Sequence, residues 1–181
     1  MGIFDKYISN FGIDWVERDD VLKAVRRKGS NLKYADYSLR DDFEVVKVAV
    51  IQDGKSLRYA SKELKANKEI VLEAFRSYEP ILHSSYVDES LLKDRSFALE
   101  LADEKAIFSK YFAEDEEVVI RALSQKHKGI GEVTWPAFKN AGPSLKSNKK
   151  FVLKLLKEHP LVFKYISESL KDDDEVAKRA I

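Results

Sequence analysis

Lysines clustered in the second half of the chain have the clearest potential for binding chemistry. Residues 126–157 hold eight lysines against one acidic residue, Glu132, although the net charge of the whole chain is only +1. Lysines beside an aromatic ring can bind phosphate groups, nucleic acid or an acidic protein surface. The alternative is a solvated loop in which Trp135 and Phe138 fill a packing gap. The candidate binding residues are Lys126, Lys128, Trp135, Lys149 and Lys150.

Three tyrosines, Tyr34, Tyr59 and Tyr165, occupy the same position of a repeated sequence pattern. They could line a ligand-binding face, or they could pack between helices with each hydroxyl at the edge of the core. Because periodic aromatic residues in repeat proteins usually belong to the core, the pattern favours the packing interpretation.

The sequence predicts no catalytic, metal or cofactor site. The chain has no cysteine, which excludes thiol catalysis and cysteine-ligated zinc. Each histidine (His83, His127 and His159) lacks a second histidine at helical spacing. The acidic clusters lie mostly at repeat boundaries, where carboxylates cap helices. We therefore expect a non-enzymatic protein.

The elements that must position these residues are paired helices, and the stretch from Asp42 to Leu64 shows their plan best. Asp42 is a suitable N-cap residue, and an apolar pattern of helical spacing follows it. Gly54 can take the left-handed conformation that ends helices. A second helix is then predicted through Leu57 and Tyr59.

The same plan recurs along the chain. Successive repeats open at residues separated by 25, 27, 21, 33 and 25 positions. Helices this short must bury their apolar faces against neighbours. The opening residues are Asp42, Asn67, Asp94, Asp115, Asn148 and Asp173.

We therefore predict an all-α protein of stacked helical hairpins of about 25 residues, an α-solenoid-like array forming one domain over 1–181. A capping helix should occupy 1–16 and end near Gly12. Repeats should fill 17–125, an irregular insertion 126–147, and the final repeats 148–181.

Composition narrows the functional classes. The chain balances 32 basic residues against 31 acidic ones, which argues against a general nucleic-acid or membrane-surface binder. No apolar run approaches the roughly 20 residues that span a bilayer, and the N-terminal stretch does not resemble a signal peptide. A cytoplasmic protein without membrane association is the expectation.

The stretch from Asp42 to Leu64 carries the signature D-x-E-V-V-x-x-A-V followed by G-x-x-L-x-Y-A-S-x-x-L. This signature resembles the domain-of-unknown-function family numbered 4116, and the similarity is weak between 94 and 147. The resemblance implies short tandem helical repeats. It implies no activity, cofactor or catalytic residue.

Three functional hypotheses follow. The leading one is a non-enzymatic scaffold for protein–protein interaction, because helical repeats present extended surfaces. The first alternative is an anion or nucleic-acid binder that works through 126–157, which would show steep salt dependence. The second alternative is an accessory repeat block of a larger protein.

Overall fold

The fold is helical in the part of the chain that can be described. The computed structural model describes residues 12–78, 86–105, 110–124 and 138–180. Across those four ranges every regular element is an α-helix or a 3₁₀ helix, and none is a strand. The predicted all-α class is therefore confirmed.

Contacts between residues group the chain into two compact units, Met1–Leu92 and Lys93–Ile181. In the first unit the α-helices are α1 (Arg18–Arg27), α2 (Tyr37–Arg40), α3 (Phe43–Gln52), α4 (Lys62–Lys65), α5 (Lys68–Ser77) and α6 (Glu89–Leu92). Its 3₁₀ helices are η1 (Gly29–Tyr34) and η2 (Gly54–Tyr59).

The second unit continues the same alternation. Its α-helices are α7 (Arg95–Lys105), α8 (Glu116–Ser124), α9 (Pro143–Ser147), α10 (Lys149–Leu156), α11 (Glu168–Lys171) and α12 (Asp174–Arg179). Its 3₁₀ helices are η3 (Lys110–Phe112) and η4 (Pro160–Tyr165). The predicted single domain, with its boundaries at 126 and 147, stays a prediction.

The predicted opening residues are N-caps. Each accepts a hydrogen bond from the backbone N–H three residues later, at 2.9 to 3.2 Å. This bond satisfies a donor that the first turn of a helix leaves without a partner. Glu17, which precedes α1, makes no such bond. The capping residues are Asp42, Asn67, Asp94, Asp115, Asn148 and Asp173.

The second half of a repeat is divided into two short helices, where the sequence predicts one. In the second repeat, η2 is followed by Ala60 in an extended conformation. Ser61 then caps α4 by accepting a hydrogen bond from the N–H of Leu64 at 3.1 Å. Ala35 and Ile166 interrupt their repeats in the same way. Short 3₁₀ turns and Ser caps both favour such breaks.

The conformation of Gly54 differs from the left-handed one predicted for it. Gly54 does not adopt the left-handed conformation, which among the described glycines occurs only at Gly12. Instead Gly54 begins η2 and lies against the carbonyl oxygen of Ala74, where a Cβ atom would clash. Gly29 packs on Ala49 in the same way one repeat earlier. Both glycines are needed for the close approach between repeats.

The core of the first unit lies where the long helices meet. Helix α3 packs against α1 on one side and against α5 on the other. Val46, Ala49 and Val50 on α3 have no solvent exposure because neighbours cover the helix on both sides. This contact buries the apolar faces that short helices cannot expose in water.

A backbone hydrogen bond also joins the short helices of adjacent repeats. The N–H of Ser61 donates to the carbonyl of Arg40 at 2.9 Å, and the N–H of Asp88 donates to that of Lys65 at 3.0 Å. In the second unit the N–H of Ser167 donates to the carbonyl of Lys146 at 3.0 Å. Neighbouring repeats therefore contact each other through their long helices and through this backbone hydrogen bond between their short helices. A solenoid over the whole chain stays a prediction.

The second unit has its own core, to which the predicted insertion contributes. Of segment 126–147, only residues 138–147 are described. Phe138 has no solvent exposure and lies in the cluster that includes Leu123 and Phe151. Pro143 is the first residue of α9, where its missing N–H leaves no hydrogen bond unmade. The packing role expected of Phe138 is therefore seen.

The predicted N-terminal capping helix, 1–16, falls mostly on residues 1–11, which lie outside the described residues. Residues 13–16 are described and are not helical, and Gly12 has a φ of +58°. Within the described residues, no helix has the length and apolarity needed to cross a membrane.

Candidate functional site

A basic residue at the first position of a helix pairs with the capping aspartate of the next repeat. Arg18 Nε lies 2.9 Å from Asp42 Oδ2. Arg95 Nε lies 2.7 Å from Asp115 Oδ2 in the second unit. Hydrogen bonding from Arg18 lowers the pKa of Asp42 below its ordinary value. One carboxylate thus caps a helix and joins two repeats.

Lys149 belongs to this series of ion pairs. Its Nζ lies 2.9 Å from Asp173 Oδ2 and 2.9 Å from Glu175 Oε2. The hydrogen bonds that Lys149 donates to these two carboxylates raise its pKa. The charge of Lys149 is therefore compensated by carboxylates of the same chain, and this lysine is poorly suited to bind an external anion.

Of the other predicted binding residues, only Lys150 lies within the described part of the chain. Lys150 is exposed and has no ion-pair partner among the described residues. Lys126, Lys128 and Trp135 lie outside the described residues, so their predicted role stays a prediction. Among the predicted candidates, the structure places together only the neighbours Lys149 and Lys150, at the start of α10.

The repeated tyrosines lie near the surface, and each has a basic neighbour over its ring. Tyr34 is 39% exposed, and Tyr59 and Tyr165 are half-buried. Lys33 Nζ lies 4.5 Å from the ring centre of Tyr34. The guanidinium carbon of Arg58 lies 4.5 Å from that of Tyr59. Such cation–π contacts fix a charge beside an aromatic surface.

The same pairing occurs in the second unit. Lys110 lies 5.2 Å from the ring centre of Tyr111, and Lys164 lies 5.7 Å from that of Tyr165. A basic residue directly before the tyrosine is therefore a recurrent feature of the repeat. This dipeptide is visible in the sequence, although only its tyrosine was predicted as a candidate.

In the first unit these positions join across three repeats. The Trp15 ring lies 5.2 Å from that of Tyr34. Arg58 donates a hydrogen bond to the Tyr59 hydroxyl, and a hydrogen bond to Tyr86 raises the pKa of Arg58. Lys33 interacts electrostatically with both Tyr59 and Arg58 of the next repeat. We call this set the aromatic–basic row. Its members are Trp15, Lys33, Tyr34, Arg58, Tyr59 and Tyr86.

Lys33 and Arg58 differ from the ion-paired cations because no described carboxylate pairs with either of them. The nearby Tyr34 hydroxyl raises the pKa of Lys33, and Tyr59 adds to the effect. Both side chains are exposed. The row therefore presents two oriented positive charges that have no counter-ion among the described residues.

Metal-binding geometry is absent from the described residues, which contain no cluster of three or more His, Asp or Glu side chains placed to hold an ion. His159 lies just before η4, while His83 and His127 lie outside the described ranges. Asp115 and Glu117, from one acidic cluster, both bind Arg95.

Comparison with known families bears out the resemblance. The family model described as domain of unknown function (DUF4116) matches residues 17–65, 50–84 and 148–181. These matches cover more than half of the chain. The chain belongs to the DUF4116 family. Two of the three DUF4116 matches include Arg58 and Tyr59 of the aromatic–basic row, whereas Trp15 and Tyr86 lie outside the matched residues.

The comparisons supply no function for this DUF4116 member. The family description states none. A search of curated proteins found no match. A search of solved structures found none either.

Proposed function

We propose that this DUF4116 protein is a non-enzymatic module that binds another protein. The observation that carries the proposal is the aromatic–basic row of the first unit. Adjacent repeats place equivalent side chains beside one another, and repeat proteins use such surfaces to bind partners.

The residue types of the row support a protein interface. Tyrosine, tryptophan and arginine are enriched among the residues that contribute most to binding between proteins. Tyr34 and Tyr59 are held by their neighbours, so they lose little side-chain entropy when a partner docks. The row is therefore partly organised for binding.

The lysine-rich alternative at 126–157 has weaker support. Two carboxylates neutralise Lys149, one of its five candidate residues. Nucleic-acid binding depends on cations that can contact phosphates, and its strength falls steeply with salt. A scaffold role in the cytoplasm, alone or within a larger protein, remains our proposal.

Site-specific photo-crosslinking tests this proposal. A benzoylphenylalanine residue would replace Tyr34 in the full chain, expressed in native-host cells. The matched control would carry it at Ile51, which is 52% exposed on α3. We expect a discrete protein adduct from Tyr34 that is absent from Ile51. Equal adducts at both positions, or none at Tyr34, would contradict the proposal.

A further inference from the structure

The partner's chemistry follows from the charges of the row. Some basic side chains of the first unit have carboxylate partners, as Arg18 has Asp42 and Lys47 has Glu69. Lys33 and Arg58 instead have tyrosine neighbours. Two cations held in place, with no carboxylate partner in the described part of the chain, complement two negative charges on a partner.

The tyrosines make a carboxylate a better ligand than a nucleobase. In Tyr34 and Tyr59, one face of the ring is already covered by Lys33 or Arg58. Single-stranded nucleic acids bind largely by stacking bases on open aromatic faces. A net charge of +1 for the whole chain also gives little general attraction for a polyanion.

The repeat geometry suggests how the negative charges should be spaced. Lys33 and Arg58 occupy equivalent positions of neighbouring repeats, and packed helices lie about 8–10 Å apart. A peptide in the polyproline conformation places residues i and i+3 on one side, about 9 Å apart. Aromatic-lined surfaces are a known docking site for that conformation.

We propose that the aromatic–basic row binds an extended acidic peptide segment, with carboxylates three residues apart directed at Lys33 and Arg58. This inference rests on the proposed protein-binding function and adds the site and the charge of the partner. Trp15 and Tyr86 lie at the two ends of the row and supply apolar contact to the peptide residues on either side of the two carboxylates.

Fluorescence anisotropy with a defined probe tests the inference. The probe is a fluorescein-labelled Glu-Pro-Pro-Glu-Pro-Pro-Glu peptide, and the full-length chain is titrated into it at low salt. We expect saturable binding that weakens about tenfold or more in a Lys33→Glu/Arg58→Glu variant. The same peptide with Gln in place of Glu should bind much more weakly.

The control variant is Lys28→Glu/Lys55→Glu, which changes the net charge by the same amount. Both residues are exposed, and neither makes a hydrogen bond, ion pair or ring contact with the row. Circular dichroism melting confirms that each variant is folded, and Lys33→Gln/Arg58→Gln repeats the test with a smaller change. Equal weakening in the row and control variants would overturn the inference.

Two further outcomes would also overturn it. One is absence of peptide binding by the wild-type chain. The other is tighter binding of a twelve-nucleotide oligouridine than of the peptide, lost in the row variant, which would assign the row to nucleic acid. These outcomes would leave the proposed protein-binding function untouched, because that function is tested by crosslinking at Tyr34 and not by this peptide.

Discussion

Gly54 lies directly against the backbone carbonyl oxygen of Ala74 in the next repeat, and no space remains for a Cβ atom. Gly29 has the same relationship to Ala49. The first turn of each of these 3₁₀ helices therefore touches the backbone of a neighbouring helix. This approach sets the distance between repeats and, with it, the spacing of the aromatic–basic row.

Gly54→Ala should destabilise the first unit by about 1–3 kcal/mol, the usual range for overpacking a close contact. The added methyl group must push η2 away from α5. Chemical denaturation followed by circular dichroism measures the free energy of unfolding. Lys28→Ala, at an exposed position just before the equivalent Gly29, is the control and should have little effect. Wild-type stability of Gly54→Ala would contradict the close approach.

Ala49→Asp should destabilise the protein by several kcal/mol. Ala49 is completely buried between α3 and its neighbours, and the new carboxylate would have no partner there. Ile51→Asp, two residues further on the same helix, is the control because Ile51 is 52% exposed. A thermal melt of both variants checks the expectation, which fails if the two curves coincide.

The Arg18–Asp42 ion pair predicts a pH dependence of stability. Hydrogen bonding from Arg18 lowers the pKa of Asp42 in the folded state. The resulting stabilisation is present above the unfolded pKa of about 3.9 and is lost as the pH falls through the lower folded value. We expect about 1 kcal/mol or less, because the pair is partly exposed.

Asp42→Asn isolates this contribution, since asparagine caps helices about as well as aspartate but carries no charge. Urea denaturation at pH 7 and at pH 2.5 gives the stability of both proteins. On acidification, the wild type should lose more free energy of unfolding than Asp42→Asn does. An identical loss in the two proteins would exclude a role for the ion pair.

Lys149→Glu should loosen α12, because it places a third negative charge beside Asp173 and Glu175. Hydrogen exchange with mass spectrometry should show faster exchange of the amides in α12. Lys150→Glu is the control, since Lys150 is exposed without an ion-pair partner in the described structure. Equal exchange in the two variants would contradict the structural role given to Lys149.

Local features were predictable from the sequence, and contacts between repeats were not. The capping role of Asp42 depends on its own helix and was foreseen. The division after Tyr59 was hidden, because Leu57 and Leu64 also fit the spacing of one continuous helix. Gly54 was assigned to a helix end because a close approach to Ala74 depends on the neighbouring repeat.

The candidate site shows the same limit. The recurrence of Tyr34 and Tyr59 was visible, and so was the basic residue before each. Their joining into a row depends on Arg58 reaching Tyr86 and on Trp15 reaching Tyr34, which only the packed structure shows. The excess of lysine in 126–157 predicted a binding segment, yet Lys149 forms an ion pair with Asp173 within the fold.

The most direct test of peptide binding by the aromatic–basic row is a map of the contact by nuclear magnetic resonance. The acidic peptide would be titrated into the full-length, ¹⁵N-labelled chain at low salt. If the row binds the peptide, amide shifts should concentrate around Lys33–Tyr34, Arg58–Tyr59 and Tyr86. Shifts concentrated elsewhere, for example around Lys150, or no shifts at saturating peptide, would contradict it.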